Sequence, residues 1–219
     1  MFEWNNKSIK WFCKASKSSE FHKKLALIIK DLIHEDSSIL DIGAGLGFLD
    51  RELINYCKLI ALVEPDKNAF SFLLDNEMPN LKLYNKNWQD YKNDNKQKMD
   101  YLLLSFFSRM DKEDNLSDLL ELCTDSIIYV RNENHAENDD LINYLNLKNV
   151  SYNYKHYNLD FSQPLIGDEI EDFFDTYYQR KNKTELLKKI VKINDGYLYK
   201  NNKSISIFVI KNKNNEESK

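Results

Sequence analysis

Ser38-Ile39-Leu40-Asp41-Ile42-Gly43-Ala44-Gly45-Leu46-Gly47-Phe48 holds the key to the chain. The run Ser38 to Ile42 is apolar and too short for a helix. It ends in three alternate glycines, and a helical pattern resumes at Leu49, Leu53 and Ile54. Strand, glycine loop and helix in that order form the opening of a βαβ unit. Glycines there let the backbone turn sharply and approach a ligand closely at the carboxyl edge of a parallel sheet. The spacing is not that of a dinucleotide fingerprint, whose third glycine falls one residue later, where Phe48 stands. Nor is it a P-loop, because no Gly-Lys-Ser/Thr follows.

Outward from the loop, the alternation continues. Upstream, Phe21, Leu25, Ile28, Ile29, Leu32 and Ile33 trace one stripe of a helix from Glu20 to His34, with Ser18 or Ser19 as its expected N-cap. Downstream, Leu59 to Val63 reads as a strand buried on both faces, and Pro65-Asp66 opens a helix through Leu74. Leu81 to Tyr84, Tyr101 to Ser105 and Ser126 to Val130 read as further strands, with helices over Glu113 to Leu122 and Ala136 to Leu147. Five strands alternating with helices require crossovers, hence a doubly wound, mostly parallel α/β sheet.

After Asn149 the texture changes. A Tyr-rich strand from Val150 to Leu159 precedes an amphipathic helix (Asp168 to Tyr178), a second helix (Thr184 to Ile193) and two strands (Gly196 to Tyr199, Ser204 to Ile210). The expectation is a seven-stranded sheet with its last strand antiparallel. Its parts are an N-terminal helical lid over 1–36, a core over 37–149, and terminal strands over 150–211. A helical cap is inserted at about 161–193, and a frayed tail spans 212–219.

Composition bounds the function. The 219 residues are 42% hydrophobic and 30% charged, with 31 Lys+Arg against 35 Asp+Glu, so a packed core is possible and no global basic field exists for a polyanion. Cys13, Cys57 and Cys123 are too far apart in sequence for a typical zinc or iron–sulfur set and read as free thiols. The first twelve residues lack the apolar stretch of a signal peptide, and no run is long enough to span a bilayer. A cytoplasmic protein is expected.

The pattern D-x-G-x-G-x-G at Asp41, Gly43, Gly45 and Gly47, with Glu64 just past the second strand, resembles the first motif of the class I S-adenosylmethionine-dependent methyltransferases. A carboxylate at Glu64 can accept both hydroxyls of a ribose. The resemblance spans roughly residues 37–147. It implies S-adenosyl-L-methionine as cofactor, with Asp41, Gly43, Ala44, Gly45 and Gly47 around its methionine and ribose and Glu64-Pro65 at the ribose. Asn87 and Trp88 would frame the adenine, although an acid is usual where Asn87 stands. Asp100, then Ser105-Phe106-Phe107, resembles the segment that lines the methionine end and the methyl-transfer face. His135, after the fifth strand, is the candidate base. The aromatics Trp4, Trp11, Phe12 and Phe21 have two readings, cofactor lid or core.

The acceptor is less constrained. The Asn/Asp-Pro-Pro-aromatic signature of enzymes that methylate nucleobase amino groups is replaced by Ser105-Phe106-Phe107-Ser108, and no Cys stands there for the covalent route to cytosine. No RNA-binding module accompanies the core. Lys181, Lys183, Lys188 and Lys189 form a basic run that reads as a solvated helix face, with nucleic-acid contact as the sharper alternative. The leading expectation is methyl transfer to a small molecule. The competing ones are an RNA or protein methyltransferase and a catalytically silent scaffold. The sequence is silent on the acceptor atom and the oligomeric state.

Overall fold

The computed structural model describes residues 3–76, 78–95, 97–178 and 182–212. In chain order the first half comprises α1 (Asn6–Ser19), α2 (Phe21–Lys30), β1 (Ser38–Ile42), α3 (Phe48–Leu53) with a 3-10 turn at Ile54–Tyr56, β2 (Leu59–Val63), α4 (Lys67–Asp75), β3 (Leu81–Tyr84), α5 (Trp88–Asp94) and β4 (Met99–Ser105). The second half comprises α6 (Met110–Glu113), α7 (Leu116–Leu120), β5 (Cys123–Asn132), α8 (His135–Leu147), β6 (Tyr152–Asp160), β7 (Gln163–Leu165), α9 (Glu169–Tyr177), α10 (Lys183–Leu187), β8 (Ile190–Ile193), β9 (Gly196–Tyr199) and β10 (Asn202–Lys211).

Seven strands form the main sheet in the order β3-β2-β1-β4-β5-β10-β6. The pairings from β3 through β5 are parallel, and β10 lies antiparallel to both β5 and β6. The winding reverses between β1 and β4, and a crevice opens there at the strands' carboxyl ends. The strand alternation explains two separate cores. Ile39, Ile60, Leu62, Leu103 and Val130 face Phe21, Leu25 and Ile29 of α2 and Leu53 of α3. Their sequence neighbours Leu40, Ile42, Ala61, Val63 and Leu104 face Trp88 and Tyr91 of α5 and Leu141 and Leu145 of α8. Each fully buried Val, Leu, Ile or Phe side chain among these contributes about 1.5–3 kcal/mol. Because Asp41 alternates with Leu40, it is carried to the α2/α3 side, where it meets Asp50.

Several boundaries depart from expectation for local reasons. The first amphipathic stretch is two helices, because Glu20 takes a left-handed conformation (φ 52°) between them and itself occupies the N-cap position in place of Ser18 or Ser19. The helix expected over Glu113 to Leu122 is interrupted at left-handed Asp114 (φ 49°). Asp100, expected before the fourth strand, lies within β4, where it accepts hydrogen bonds from the backbone N–H and hydroxyl of Ser38, each at 2.7 Å. Ile190–Ile193 is a strand, not the end of a helix. Its β-branched residues pair with β9, and β9 joins β7 and β8 in a separate three-stranded sheet and stays out of the main one. This small sheet and α9 enclose a third core of Trp11, Leu165, Phe173, Phe174, Leu186 and Tyr199. Asn212, expected to open a frayed tail, is buried and donates to the carbonyls of Leu120 and Cys123. The remainder of that tail, and Lys181 of the basic run, lie outside the described residues. No helix among the described residues is long and apolar enough to cross a membrane.

Candidate active site

The carboxyl ends of β1, β2 and β4 open into a cavity of about 920 Å³. That is within the range of small-molecule sites, about 300–1,000 Å³. Of the candidate residues, Asp41, Gly43, Ala44, Gly45, Gly47, Glu64, Pro65, Asn87, Trp88 and Ser105 all line it. Asp100 is not among the lining residues: it sits near the opposite end of β4, about 16 Å of strand from Ser105. His135 is not brought there either. It starts α8 with 95% of its side chain exposed, 3.3 Å from the Glu133 carboxylate.

The loop owes its shape to Gly43, Gly45 and Gly47, whose φ values of 76°, 57° and 66° lie in the left-handed region. A side chain at Gly47 would have its Cβ 2.5 Å from Leu73, so this glycine also lets the loop entering α3 pack against α4. At Gly45 a Cβ would come within 3.3 Å of the Trp4 indole, which lies across the loop. The chain entering α1 is tied down over β2. Trp4 donates its N–H to Asp66 at 3.1 Å, and its carbonyl accepts from the Asn68 amide at 2.7 Å. The N-terminal aromatics resolve accordingly: Trp4, Trp11, Phe12 and Phe21 all line the cavity, while Trp11 and Phe21 also belong to buried cores.

Glu64 is buried, and its two oxygens accept from the Gly45 N–H (2.7 Å) and the Asp66 N–H (2.8 Å), which splints the glycine loop to the end of β2. Burial raises its pKa against those hydrogen bonds. Asp41 is buried with Oδ1 unpartnered, and burial together with the neighbouring Asp50 pushes its pKa well up. Burial likewise pushes Asp50 up to about 6. A cationic amine in the cavity would find an orphan acceptor in Asp41. The left-handed glycines, the orphan Asp41 oxygen and the carboxylate at the end of β2 fit an amino-acid-bearing nucleoside such as S-adenosylmethionine. Asn87 is placed at the cavity, but its amide already caps α5, accepting from the Asp90 N–H at 2.8 Å and donating to the Asp90 carboxylate at 2.7 Å. Trp88 is shared between the cavity wall and the core.

Beyond the loop the walls are aromatic. Phe106 and Phe107 follow β4, with Phe106 in a left-handed conformation (φ 54°) that costs about 1–2 kcal/mol. It is locked by its N–H donating to the Val130 carbonyl. Phe161, Phe173, Tyr177 and Tyr178 close the far side. Two further residues of the cavity wall were not among the sequence candidates, and His22, which reads from the sequence as a helix-surface histidine, is one of them. His22 lies against the rings of Phe12, Phe21, Phe48 and Phe161, and burial pushes its pKa down to about 3. Lys203, at the start of β10, faces the same space. Neither carries a local motif; only the antiparallel return of β10 brings Lys203 to the carboxyl edge.

Comparison with known proteins speaks to the family and the fold. Residues 3–117 match the family model for ribosomal RNA adenine dimethylase. No curated protein matches the chain. Among solved structures it is similar to precorrin-6y C5,15-methyltransferase from Geobacter metallireducens (TM-score 0.57, 13% identity, covering 86% of each chain). It is also similar to precorrin 8w decarboxylase from Methanobacterium thermoautotrophicum (TM-score 0.56, 12% identity, 84% of this chain and 88% of that one). A third is the tRNA (m1A58) methyltransferase TrmI from Aquifex aeolicus (TM-score 0.54, 10% identity, 87% and 68%). At these identities the structures speak for the fold alone. The chain is thus an S-adenosylmethionine-dependent methyltransferase of the class I fold and belongs to the ribosomal RNA adenine dimethylase family.

Proposed function

We propose that the chain transfers the methyl group of S-adenosylmethionine to a small, flat, largely aromatic acceptor held in the far half of the cavity. The observation that carries this reading is the composition of that half. Its walls are Phe21, Phe106, Phe161, Phe173, Tyr177 and Tyr178, and Lys203 is the one Lys or Arg among the described residues that line the cavity. A polyanion needs several cations along its track. On α1, Lys7 is paired with Asp172 and Lys10 and Lys14 with Glu169. Of the basic run, Lys183 is paired with Asp175 and Lys188 with Glu185.

In this reading Asp41 and the loop from Gly43 to Gly47 hold the methionine and ribose end of the cofactor. Glu64 accepts from the ribose, and Pro65, Asn87 and Trp88 border the adenine. The cofactor supplies an activated sulfonium methyl. The protein aligns the nucleophile and excludes water. Ser105, Phe106 and Phe107, at the β1/β4 switch point, position the acceptor. Residues 161–178 and the N-terminal segment cover it. His135, exposed and outside the cavity, takes no part.

A second reading, methylation of adenine in RNA, is favoured by the family match over residues 3–117. That match spans the cofactor half. It stops before Phe161, Phe173, Tyr177 and Lys203, which shape the acceptor half, and Ser105-Phe106-Phe107-Ser108 lacks the amide and prolines that the nucleobase-amino signature carries. The test is incubation of the purified chain with methyl-tritiated S-adenosylmethionine and two acceptor pools, deproteinised ribosomal RNA and a low-molecular-weight metabolite extract. Label in the metabolite fraction supports the proposal. Label in RNA alone replaces it with the second reading.

A further inference from the structure

Lys203 stands in an environment that asks for an anion. Its ammonium lies over three aromatic rings, 4.6 Å from the centroid of Phe106, 4.9 Å from Phe161 and 5.7 Å from Phe21. No carboxylate pairs with it among the described residues, whereas Lys7, Lys10 and Lys14 of α1 are each matched to an acid. The acids that line the cavity are otherwise engaged. Glu64 accepts from two backbone N–H groups, and Glu113 accepts from the Asn115 amide. Asp41, whose orphan oxygen is assigned to the cofactor's amine, is buried beside Asp50.

A second unsatisfied polar group shares the same rings. His22 packs on Phe21 and Phe161 with centroid distances of 5.1 and 5.8 Å, and its Nδ1 is buried without a hydrogen-bond partner. A cation over ring faces and an unsatisfied imidazole nitrogen thus flank one aromatic slot. Burial lowers the Lys203 pKa to about 8, so the unliganded cation is held at a cost that a counter-charge would remove.

We propose that Lys203 is the residue that selects the methyl acceptor: the acceptor is a flat ring carrying an anionic oxygen, a carboxylate or phenolate, that pairs with Lys203 while Phe106 and Phe161 hold the ring. This inference rests on the small-acceptor reading above and narrows it to a class. Ring faces of Phe106 and Phe161 offer stacking or edge contacts to a planar molecule. A charge-assisted hydrogen bond in this low-dielectric slot supplies the discrimination. An RNA base offers no such charge on its ring.

The test uses the full chain saturated with S-adenosylhomocysteine, titrated with benzoate and with its neutral isostere benzamide, for wild type, Lys203→Met and Lys203→Arg. Wild type is expected to prefer benzoate by roughly tenfold to a hundredfold. Lys203→Met should abolish the preference, and Lys203→Arg should keep most of it. S-Adenosylhomocysteine affinity should stay within about twofold throughout, because Lys203 is assigned to the acceptor half. Equal binding of benzoate and benzamide to wild type, absence of benzoate binding, or an undiminished preference in Lys203→Met overturns the proposal. Failure of S-adenosylhomocysteine to bind any of the folded proteins is a different outcome, which overturns the donor-site reading and the proposal with it.

Discussion

Gly47→Ala tests whether the glycine loop is built as described. Gly47 has φ 66° and serves as the N-cap of α3. A Cβ there would lie 2.5 Å from Leu73 Cδ2 and 3.4 Å from Leu62 Cδ2. Placing alanine in the left-handed region costs about 1–2 kcal/mol. Leu73 is 2% exposed, so it has little room to retreat, and overpacking of this kind adds about 1–3 kcal/mol. Together the loss is about 2–5 kcal/mol. For a chain of this size each kcal/mol moves the melting temperature by about 2–4 °C, so Gly47→Ala should melt about 4–20 °C lower. Gly167→Ala is the control. Its Cβ would meet Tyr197 at an ordinary 3.7 Å, and the substitution should stay within about 0.5 kcal/mol of wild type. Thermal melts by circular dichroism suffice. A Gly47→Ala protein that melts within about 2 °C of wild type would refute the packing of α3 against α4 through this loop.

Three further outcomes are expected. Asp50→Asn should stabilise the protein at neutral pH by up to about 3 kcal/mol, since burial holds the Asp50 pKa at about 6 against its hydrogen bond with Asp41. The unfolded chain releases that proton near pH 4 and the folded one keeps it to about 6, so wild type loses stability more steeply than the variant as pH rises through that window, the variant keeping only the contributions of Asp41 and Glu64, as urea titrations at pH 4, 5, 6 and 7 would show. His22→Phe should act with the opposite sign. The folded-state pKa of about 3 means the unfolded chain gains a proton below about 6.5 that the fold refuses, so wild type should lose about 1.4 kcal/mol per pH unit on acidification relative to the variant. Glu169→Ala should loosen the cap. Its carboxyl, held down at about 2, joins Lys10 and Lys14 of α1 to α9 and accepts from the Ile166 N–H, and hydrogen exchange in α9 should accelerate while the strands of the main sheet keep their protection.

The glycine-loop side of the cavity was legible in the sequence because it is local. Strand, glycine loop, helix, second strand and acid lie within Ser38 to Glu64, and each step is set by nearest-neighbour chemistry. The main sheet was legible for the same reason, from runs such as Leu59 to Val63 that can only be buried. The aromatic side of the cavity was not, because it is assembled from distant segments. His22, Phe106, Phe161 and Lys203 meet only after β10 returns antiparallel between β5 and β6. Ile190 to Ile193 misled the helix reading, since its apolar spacing suits a helix while its β-branched side chains and the turn to Gly196 (φ 139°) suit the hairpin that forms. His135 misled because a position after β5 lies on the correct edge of the sheet, yet the side chain at the start of α8 turns to solvent and Glu133. Asn87 drew attention as an adenine partner, while its amide serves first as a helix cap.

The most direct test of the account is calorimetric titration of the purified chain with S-adenosylmethionine and S-adenosylhomocysteine, alongside Glu64→Ala. Glu64 closes the loop through Gly45 and presents its carboxylate at the end of β2. Micromolar binding is expected, weakened at least about tenfold in the variant, a loss of about 1.4 kcal/mol or more. Equal affinity in Glu64→Ala, or no binding of either ligand by folded wild-type protein, would contradict it.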